Sequence, residues 1–171
     1  DVQLDGRPLS RLALAKAALH DALLELPCGS KLGLAVFTEY RTLLLLAPVE
    51  VCGALAELRT TLAGIDNRMA WIGASEIAKG LHSARSVVQQ LPGTPSLLFI
   101  TDGHEAPPLN ARHRPRFDDK GGEVAGVIVG VGGRLPSPIP KSDAEGRTLG
   151  TWGADEVLQT DPRSRGRGAS V

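Results

Sequence analysis

The fold is decided by residues 96–103, which read SLLFITDG. The apolar run from Leu97 to Ile100 is typical of a strand buried on both faces of a parallel sheet. Thr101, Asp102 and Gly103 end the run, so a carboxylate directly follows the strand. Functional sites in such sheets lie beyond the carboxyl ends of the strands. Residues 96–103 therefore predict a central parallel strand with Asp102 at a candidate site.

Helical and strand patterns alternate around this strand. Helical spacing of apolar residues begins after the N-cap candidate Ser10 and recurs later in the chain, in the ranges 10–26, 52–63 and 75–91. Apolar strands are predicted at 32–40, in an antiparallel stretch after Thr42, and at 122–133. This alternation predicts an α/β fold with a mainly parallel sheet and helices on both faces.

Composition sets limits on the class of protein. The 171 residues suffice for one domain, and hydrophobic residues make up 42% of them. Aromatic residues are only 4%, so Leu, Ala and Val must build the core. Lys plus Arg and Asp plus Glu each number 19, and this balance argues against a nucleic-acid partner.

Targeting signals are not visible in the sequence. The first ten residues are polar, unlike a signal peptide, and no apolar run reaches the ~20 residues of a membrane span. We expect any export signal or membrane contact to depend on a segment outside this chain. The two cysteines, Cys28 and Cys52, form no CxxC pair, which argues against a structural zinc site. Two free thiols are the favoured interpretation, with one disulfide as the alternative.

Two residues are candidate metal ligands. Ser75 follows small residues at a loop-to-helix junction, and Asp102 follows a strand. Mg²⁺ and Ca²⁺ take oxygen ligands, so a hydroxyl and a carboxylate from two loops are suitable partial ligands. Each residue also has a simpler interpretation. Ser75 alone is more often a helix N-cap, and Asp102 alone could form a turn with Gly103.

The order of these elements resembles a von Willebrand factor type A (VWA) domain. The matching features are helix, strand, strand, helix, the pattern G-x-[ST]-x-I-x-x-G-L at Gly73–Leu81, and the strand ending in Thr-Asp-Gly. In that family, three loops build a metal-ion-dependent adhesion site. The resemblance implies that Ser75 is the ligand of the second loop and Asp102 that of the third, in a non-enzymatic protein-binding module of Rossmann-like fold.

The first loop of that site, D-x-S-x-S, is missing from the sequence. The resemblance implies that the strand before it is missing as well, and that this strand would lie centrally between 32–38 and 96–101. Buried backbone groups left unpaired are costly. We expect the two flanking strands to close on each other, another segment or partner to supply the strand, or the fold to be compromised. We expect Mg²⁺ or Ca²⁺ binding to be weak or lost.

The C-terminal part resembles the VWA accessory proteins of bacterial methanol-oxidation gene clusters. Residues that carry this resemblance include prolines, glycines and a tryptophan: Pro136, Pro138, Ile139, Pro140, Gly150, Trp152 and Gly153. It implies a periplasmic accessory factor for maturation, including calcium insertion, of methanol dehydrogenase. A methanol dehydrogenase subunit or another accessory protein would be the partner. A packing anchor is the alternative role for Trp152.

Two other functions remain as alternatives. One is a small α/β hydrolase using Ser75 with His82 and Asp102, although the sequence lacks the G-x-S-x-G pattern. The other is a truncated product with little activity. The predicted organisation is a partial VWA domain at 1–133, a C-terminal extension at 134–162 with a short helix at 152–159, and a basic disordered tail at 163–171.

Overall fold

The structure is a computed structural model, and it describes part of the chain. The described residues are 2–4, 7–69, 74–109, 115–117, 122–132, 138, 140–143, 145, 147–153 and 156. Within them the order of elements is β1 (Val2–Leu4), β2 (Arg7–Leu9), α1 (Arg11–Glu25), β3 (Lys31–Thr38), β4 (Arg41–Glu50), α2 (Leu55–Gly64), a short 3-10 helix (Asn67–Met69), α3 (Ile77–Gln89), β5 (Leu97–Thr101), β6 (Gly126–Gly130), β7 (Pro140–Ser142) and β8 (Thr148–Thr151).

The fold is mixed α/β, as the sequence predicts, but the strands do not form one sheet. In the described part of the chain they form four two-stranded sheets, β1–β2, β3–β4, β5–β6 and β7–β8. Only β5–β6 is parallel, and the other three pairs are antiparallel. The prediction of a single, mainly parallel sheet is therefore wrong for these residues. The prediction fails because no described strand lies between β3 and β5 to join the two pairs.

The first helix begins where the sequence predicts. The Ser10 hydroxyl accepts a hydrogen bond from the Ala13 backbone N–H at 3.1 Å. This cap satisfies one of the N–H groups that the first helical turn leaves without a partner. The predicted antiparallel hairpin is also confirmed, because Thr38 of β3 pairs with Arg41 of β4 across a two-residue connection.

The hairpin is irregular where Gly33 faces Pro48. The register of the β3–β4 pair shifts between Leu32 and Leu34. A Cβ atom at Gly33 would lie 3.0 Å from the Leu46 carbonyl oxygen and 3.1 Å from Pro48. Proline cannot donate to the ladder, so a strand tolerates it at such irregularities. Gly33 thus lets β4 carry a proline without a steric clash.

Helices lie on both sides of the β3–β4 hairpin. On one side, α1 and α2 enclose a buried cluster that comprises Leu23, Leu34, Val51, Leu58 and Leu62. On the other side, α3 approaches β3 so closely that a Cβ atom at Gly80 would lie 2.8 Å from the Phe37 ring. Phe37 also stacks on Phe99 of β5, with ring centroids 4.9 Å apart. The predicted covering of both faces is confirmed for this hairpin.

Cys28 and Cys52 form a disulfide, with Cα atoms 5.3 Å apart. The sequence-based preference for two free thiols was wrong, because the hairpin returns Cys52 to the turn that holds Cys28. The Glu50 carboxylate accepts hydrogen bonds from the backbone N–H groups of Gly29, Gly53 and Cys52, at 2.7, 2.6 and 3.1 Å. These bonds, that from Gly29 foremost, hold the pKa of Glu50 below its ordinary value. Disulfide and carboxylate together tie the ends of the hairpin.

A cavity of about 410 Å³ separates β3 from β5. It is lined by consecutive residues of β3 (31–37) and by consecutive residues leading into and along β5 (95–100). Residues of α1, α2 and α3 complete the lining. Side chains alternate between the two faces of a strand, so lining by consecutive residues means that the strand edges face the cavity. We call this cavity the slot. Its presence means that β3 and β5 have not closed on each other.

Several elements differ from the sequence-based prediction. Helix α2 begins at Leu55 rather than Cys52, because the disulfide and Glu50 hold residues 50–53 in a turn. The hairpins β1–β2 and β7–β8 were not predicted. The tail at 163–171 lies outside the described residues, as does most of the helix predicted for 152–159. Among the helices that the structure describes, none is long and apolar enough to cross a membrane.

Candidate functional site

Asp102 lies directly after β5, where the sequence places it. Its Oδ1 atom accepts a hydrogen bond from the His104 backbone N–H at 3.0 Å, and Gly103 between them has φ +78°. This is the local turn that Asp102 and Gly103 alone could be expected to form. Its Oδ2 atom accepts a hydrogen bond from Arg11 Nη1 at 2.8 Å. Both carboxylate oxygens therefore have partners within the protein.

The surroundings of Asp102 act on its pKa in opposite directions. Partial burial is the largest influence and raises the pKa of this carboxyl. The His104 N–H and the Arg11 guanidinium together outweigh it, so the pKa lies below its ordinary value. Asp102 is thus ionised at neutral pH, and its charge is matched by Arg11.

We expect Arg11→Gln to raise the pKa of Asp102, because the guanidinium is removed while the partial burial persists. In the wild type the folded pKa lies below the unfolded value of about 3.9, so the ion pair stabilises the fold above that pH. The stabilisation is lost as the pH falls through the lowered folded value. Carboxyl ¹³C chemical shifts against pH measure this pKa. Asp66, which pairs with Arg68, is the internal control, and an unmoved Asp102 titration would contradict the expectation.

Ser75 lies in a bridge between two other segments rather than at a helix cap. Its backbone N–H donates to the Ala106 carbonyl at 2.7 Å, and its carbonyl accepts from the Ala106 N–H at 2.8 Å. It also forms a parallel bridge with Glu39, just beyond β3. Helix α3 begins at Ile77, with Glu76 in the cap position. The interpretation of Ser75 as a plain N-cap was therefore wrong.

Carboxylates that the sequence analysis did not emphasise support this loop. Glu105 Oε2 accepts a hydrogen bond from the Ile77 N–H at 2.7 Å, which places a negative charge at the start of α3. Glu76 is only 5% exposed and forms an ion pair with Lys79. The spacing of three residues between Glu76 and Lys79 was the available sequence signal. His104, by contrast, is exposed.

The structure brings the two candidate ligands to the same edge of the molecule. Glu39 directly follows β3, Asp102 directly follows β5, and Ser75 bridges to Glu39 and to Ala106 in the loop after β5. The described part of the chain contains no group of three or more His, Cys, Asp or Glu side chains placed to hold a metal ion. Asp102 is already engaged by Arg11. The arrangement provides oxygen atoms for a cation but leaves the carboxylate occupied by a guanidinium.

His82 belongs to the hydrolase alternative. It lies in α3, and its ring stacks on that of Phe117 with centroids 4.3 Å apart.

Trp152 lies after β8 at the C-terminal hairpin, where Lys141 Nζ is 4.8 Å from its ring centroid. Trp152 is 47% exposed. Among the described residues it therefore makes a cation–π contact rather than acting as a buried packing anchor.

Comparisons with known proteins give no relative for this chain. No family model, curated protein or solved structure matches it. The class of the protein therefore has to be argued from its own residues and geometry.

Proposed function

We propose that this chain is a non-enzymatic binding module of the VWA class that engages a protein partner. The observation that carries the proposal is that Ser75, through its bridges to Glu39 and Ala106, and Asp102, directly after β5, lie at the same edge beyond β3 and β5. Loops at the carboxyl ends of strands are where ligands bind in α/β proteins. Ser75 and Asp102 are the proposed cation ligands on this face.

The finer fold proposal is a Rossmann-like VWA domain that lacks its central first strand. Three features support it. The β5–β6 pair is parallel, α3 lies on the opposite side of β3 from α1 and α2, and the slot separates β3 from β5. A strand placed in the slot would convert the two pairs into one sheet with helices on both faces.

Cation binding in this chain is proposed to be weak, because Arg11 competes for Asp102. A divalent cation needs several oxygen ligands, and to use Asp102 Oδ2 it must displace the guanidinium that lies 2.8 Å away. Mg²⁺ or Ca²⁺ would then bridge the module to its partner only when the partner contributes further oxygen atoms.

We propose that the biological role of this module is that of an accessory factor for maturation of a periplasmic methanol dehydrogenase, including calcium insertion. Its partner would be a subunit of that enzyme or another accessory protein. The Cys28–Cys52 disulfide supports an oxidising compartment such as the periplasm, since disulfides persist there and are rare in the cytosol. The zero formal net charge supports a protein partner rather than a nucleic acid.

Thermal unfolding with and without millimolar Ca²⁺ or Mg²⁺ tests the cation site. Binding to the native state alone raises the midpoint. For weak binding we expect a rise of at most about 1–2 °C in the wild type. We expect a larger rise in Arg11→Gln, because Asp102 is then released, and none in Arg11→Gln combined with Asp102→Asn.

Asp66→Asn is the matched control for this experiment. The Asp66 side chain is also in an ion pair and is 35% exposed, against 36% for Asp102. The cation response of this control should equal that of the wild type. A response that survives Asp102→Asn would place the cation elsewhere. Covalent labelling of Ser75 by a fluorophosphonate probe would contradict the non-enzymatic proposal and favour the hydrolase.

A further inference from the structure

The edge of β5 that faces the slot carries backbone groups directed away from β6. The Leu97 N–H donates to the Ala125 carbonyl at 2.8 Å, and the Thr101 carbonyl accepts from the Val131 N–H at 2.8 Å. Successive residues of a strand direct their N–H and C=O groups to opposite edges. Leu97 and Thr101 therefore face β6, while Leu98 and Ile100 direct their backbone groups into the slot.

The edge of β3 that faces the slot follows the same alternation. The Glu39 carbonyl accepts a hydrogen bond from the Glu76 N–H at 2.7 Å, on the edge opposite β4. The β3–β4 register is continuous from Ala35 to Thr38. Ala35 and Phe37 therefore share the direction of Glu39 and point their backbone groups into the slot.

Both strands line the slot along their length, and the residues that follow them, Glu39 and Glu105, accept hydrogen bonds from N–H groups at the start of α3. The carboxyl ends therefore lie together, and β3 and β5 run in the same direction. Ser75 bridges to Glu39, one residue after β3, and to Ala106 in the loop after β5. Phe37, near the end of β3, stacks on Phe99 in the middle of β5. The slot thus lies between two parallel edges whose carboxyl ends meet at the candidate site.

The faces of the slot are apolar. Helices α1 and α2 contribute residues such as Leu19 and Leu62 on one side, and α3 contributes Val88 on the other. The charge of Lys16 is satisfied by the carbonyls of Ala63 and Ile65, at 2.8 and 2.6 Å from Nζ. A chain lying in the slot would therefore be covered on both faces, which suits a continuous apolar run rather than an alternating one.

We infer that the slot accepts an extended apolar β-strand of a second polypeptide, running parallel to β3 and β5. About five residues of such a strand span roughly 17 Å, close to the length of β5. The added strand would pair with both edges and join β4, β3, β5 and β6 into one sheet. Strand addition of this kind is a known mode of peptide recognition.

Two other occupants fit the slot less well. A small apolar molecule would fill space but would leave the inward-facing backbone groups of Leu98 and Ile100 without hydrogen-bond partners. A second copy of this chain would have to donate a strand, and each strand that the structure describes is already paired. A separate peptide strand satisfies both the apolar faces and the two polar edges.

This inference goes beyond the proposed cation site, and its test needs no metal. The probe is a synthetic peptide of sequence KKSVIVVAT, whose lysines keep it soluble, added to the full chain in the presence of a chelator. We expect saturating peptide to slow amide hydrogen exchange at Leu98 and Ile100 at least tenfold and to raise the unfolding midpoint. The peptide KKSVPVPAT, whose prolines cannot pair as a strand, should do neither.

Two variants of the chain complete the test. Leu98→Lys places a charge in the slot and should weaken peptide binding at least tenfold. Leu24→Lys is the matched control, since Leu24 is 55% exposed and lies outside the slot, while Leu98 is 53% exposed. Equal protection by the proline peptide, or none by either peptide, would overturn the inference. Dimerisation of the chain alone, with protection of Leu98 and Ile100, would assign the slot to a second copy instead. If Leu98 and Ile100 are protected only when the strand sequence is fused ahead of residue 1, the strand does not come from a second polypeptide and the inference is overturned.

Discussion

Leu58→Ala should destabilise the fold by about 2–5 kcal/mol, the largest effect expected from a single substitution in this chain. Leu58 in α2 is 0% exposed and belongs to the buried cluster beneath β3. Truncating it removes apolar contacts and leaves a cavity that the surrounding side chains refill only partly. For a chain of this size each kcal/mol lowers the unfolding midpoint by about 2–4 °C.

Urea unfolding of Leu58→Ala and of Leu24→Ala measures this effect. Leu24 lies on α1 and is 55% exposed, so its truncation should change the free energy of unfolding by less than about 0.5 kcal/mol. Equal losses in the two variants would show that α2 does not pack on the hairpin as described. The comparison therefore tests the position of α2 as well as the energy of the core.

Reduction of the Cys28–Cys52 disulfide should cost about 2–4 kcal/mol of stability. The two cysteines are separated by 24 residues, and the bond restricts the unfolded chain over that loop. Thermal unfolding with and without dithiothreitol measures the change. The double variant Cys28→Ser with Cys52→Ser should unfold like the reduced wild type and should not respond to the reductant. A wild type indifferent to dithiothreitol would contradict the disulfide.

Local elements could be predicted from the sequence because local chemistry determines them. Ser10 and the apolar spacing after it fix the start of α1. Apolar runs separated by a short turn fix the β3–β4 hairpin, whose two strands are close in sequence. The parallel β5–β6 pair also followed from two apolar runs with a long connection between them. The formation of each of these helices and strands, as distinct from their pairing, depends on few distant contacts.

Features that depend on distant contacts could not be read from the sequence. The partner of Asp102 is Arg11, 91 residues away in the chain. The disulfide required knowledge of how the hairpin returns Cys52 to Cys28. The strands of the hairpins β1–β2 and β7–β8 have only three or four residues, too few for an alternation signal. The Asp5-Gly6 pair between Leu4 and Arg7 was a hairpin signal that the sequence analysis missed.

The position of Asp102 directly after a strand could be predicted, but its pairing with Arg11 could not. A strand followed directly by Asp102 placed a carboxylate at the edge where the structure also brings Ser75. The sequence did not indicate that a guanidinium would satisfy this carboxylate, or that Glu105 rather than Ser75 would meet the first N–H of α3. Side-chain pairing of this kind depends on how the loop after β5 is placed against the first turns of α1 and α3.

Amide hydrogen exchange of the chain alone tests whether β3 and β5 face each other across an open slot. We expect an alternating pattern along β5. The amides of Leu97 and Phe99, which face β6, should be protected, and those of Leu98 and Ile100 should exchange much faster. Uniform protection of all four amides would mean that β5 is paired on both edges, and this result would contradict the slot.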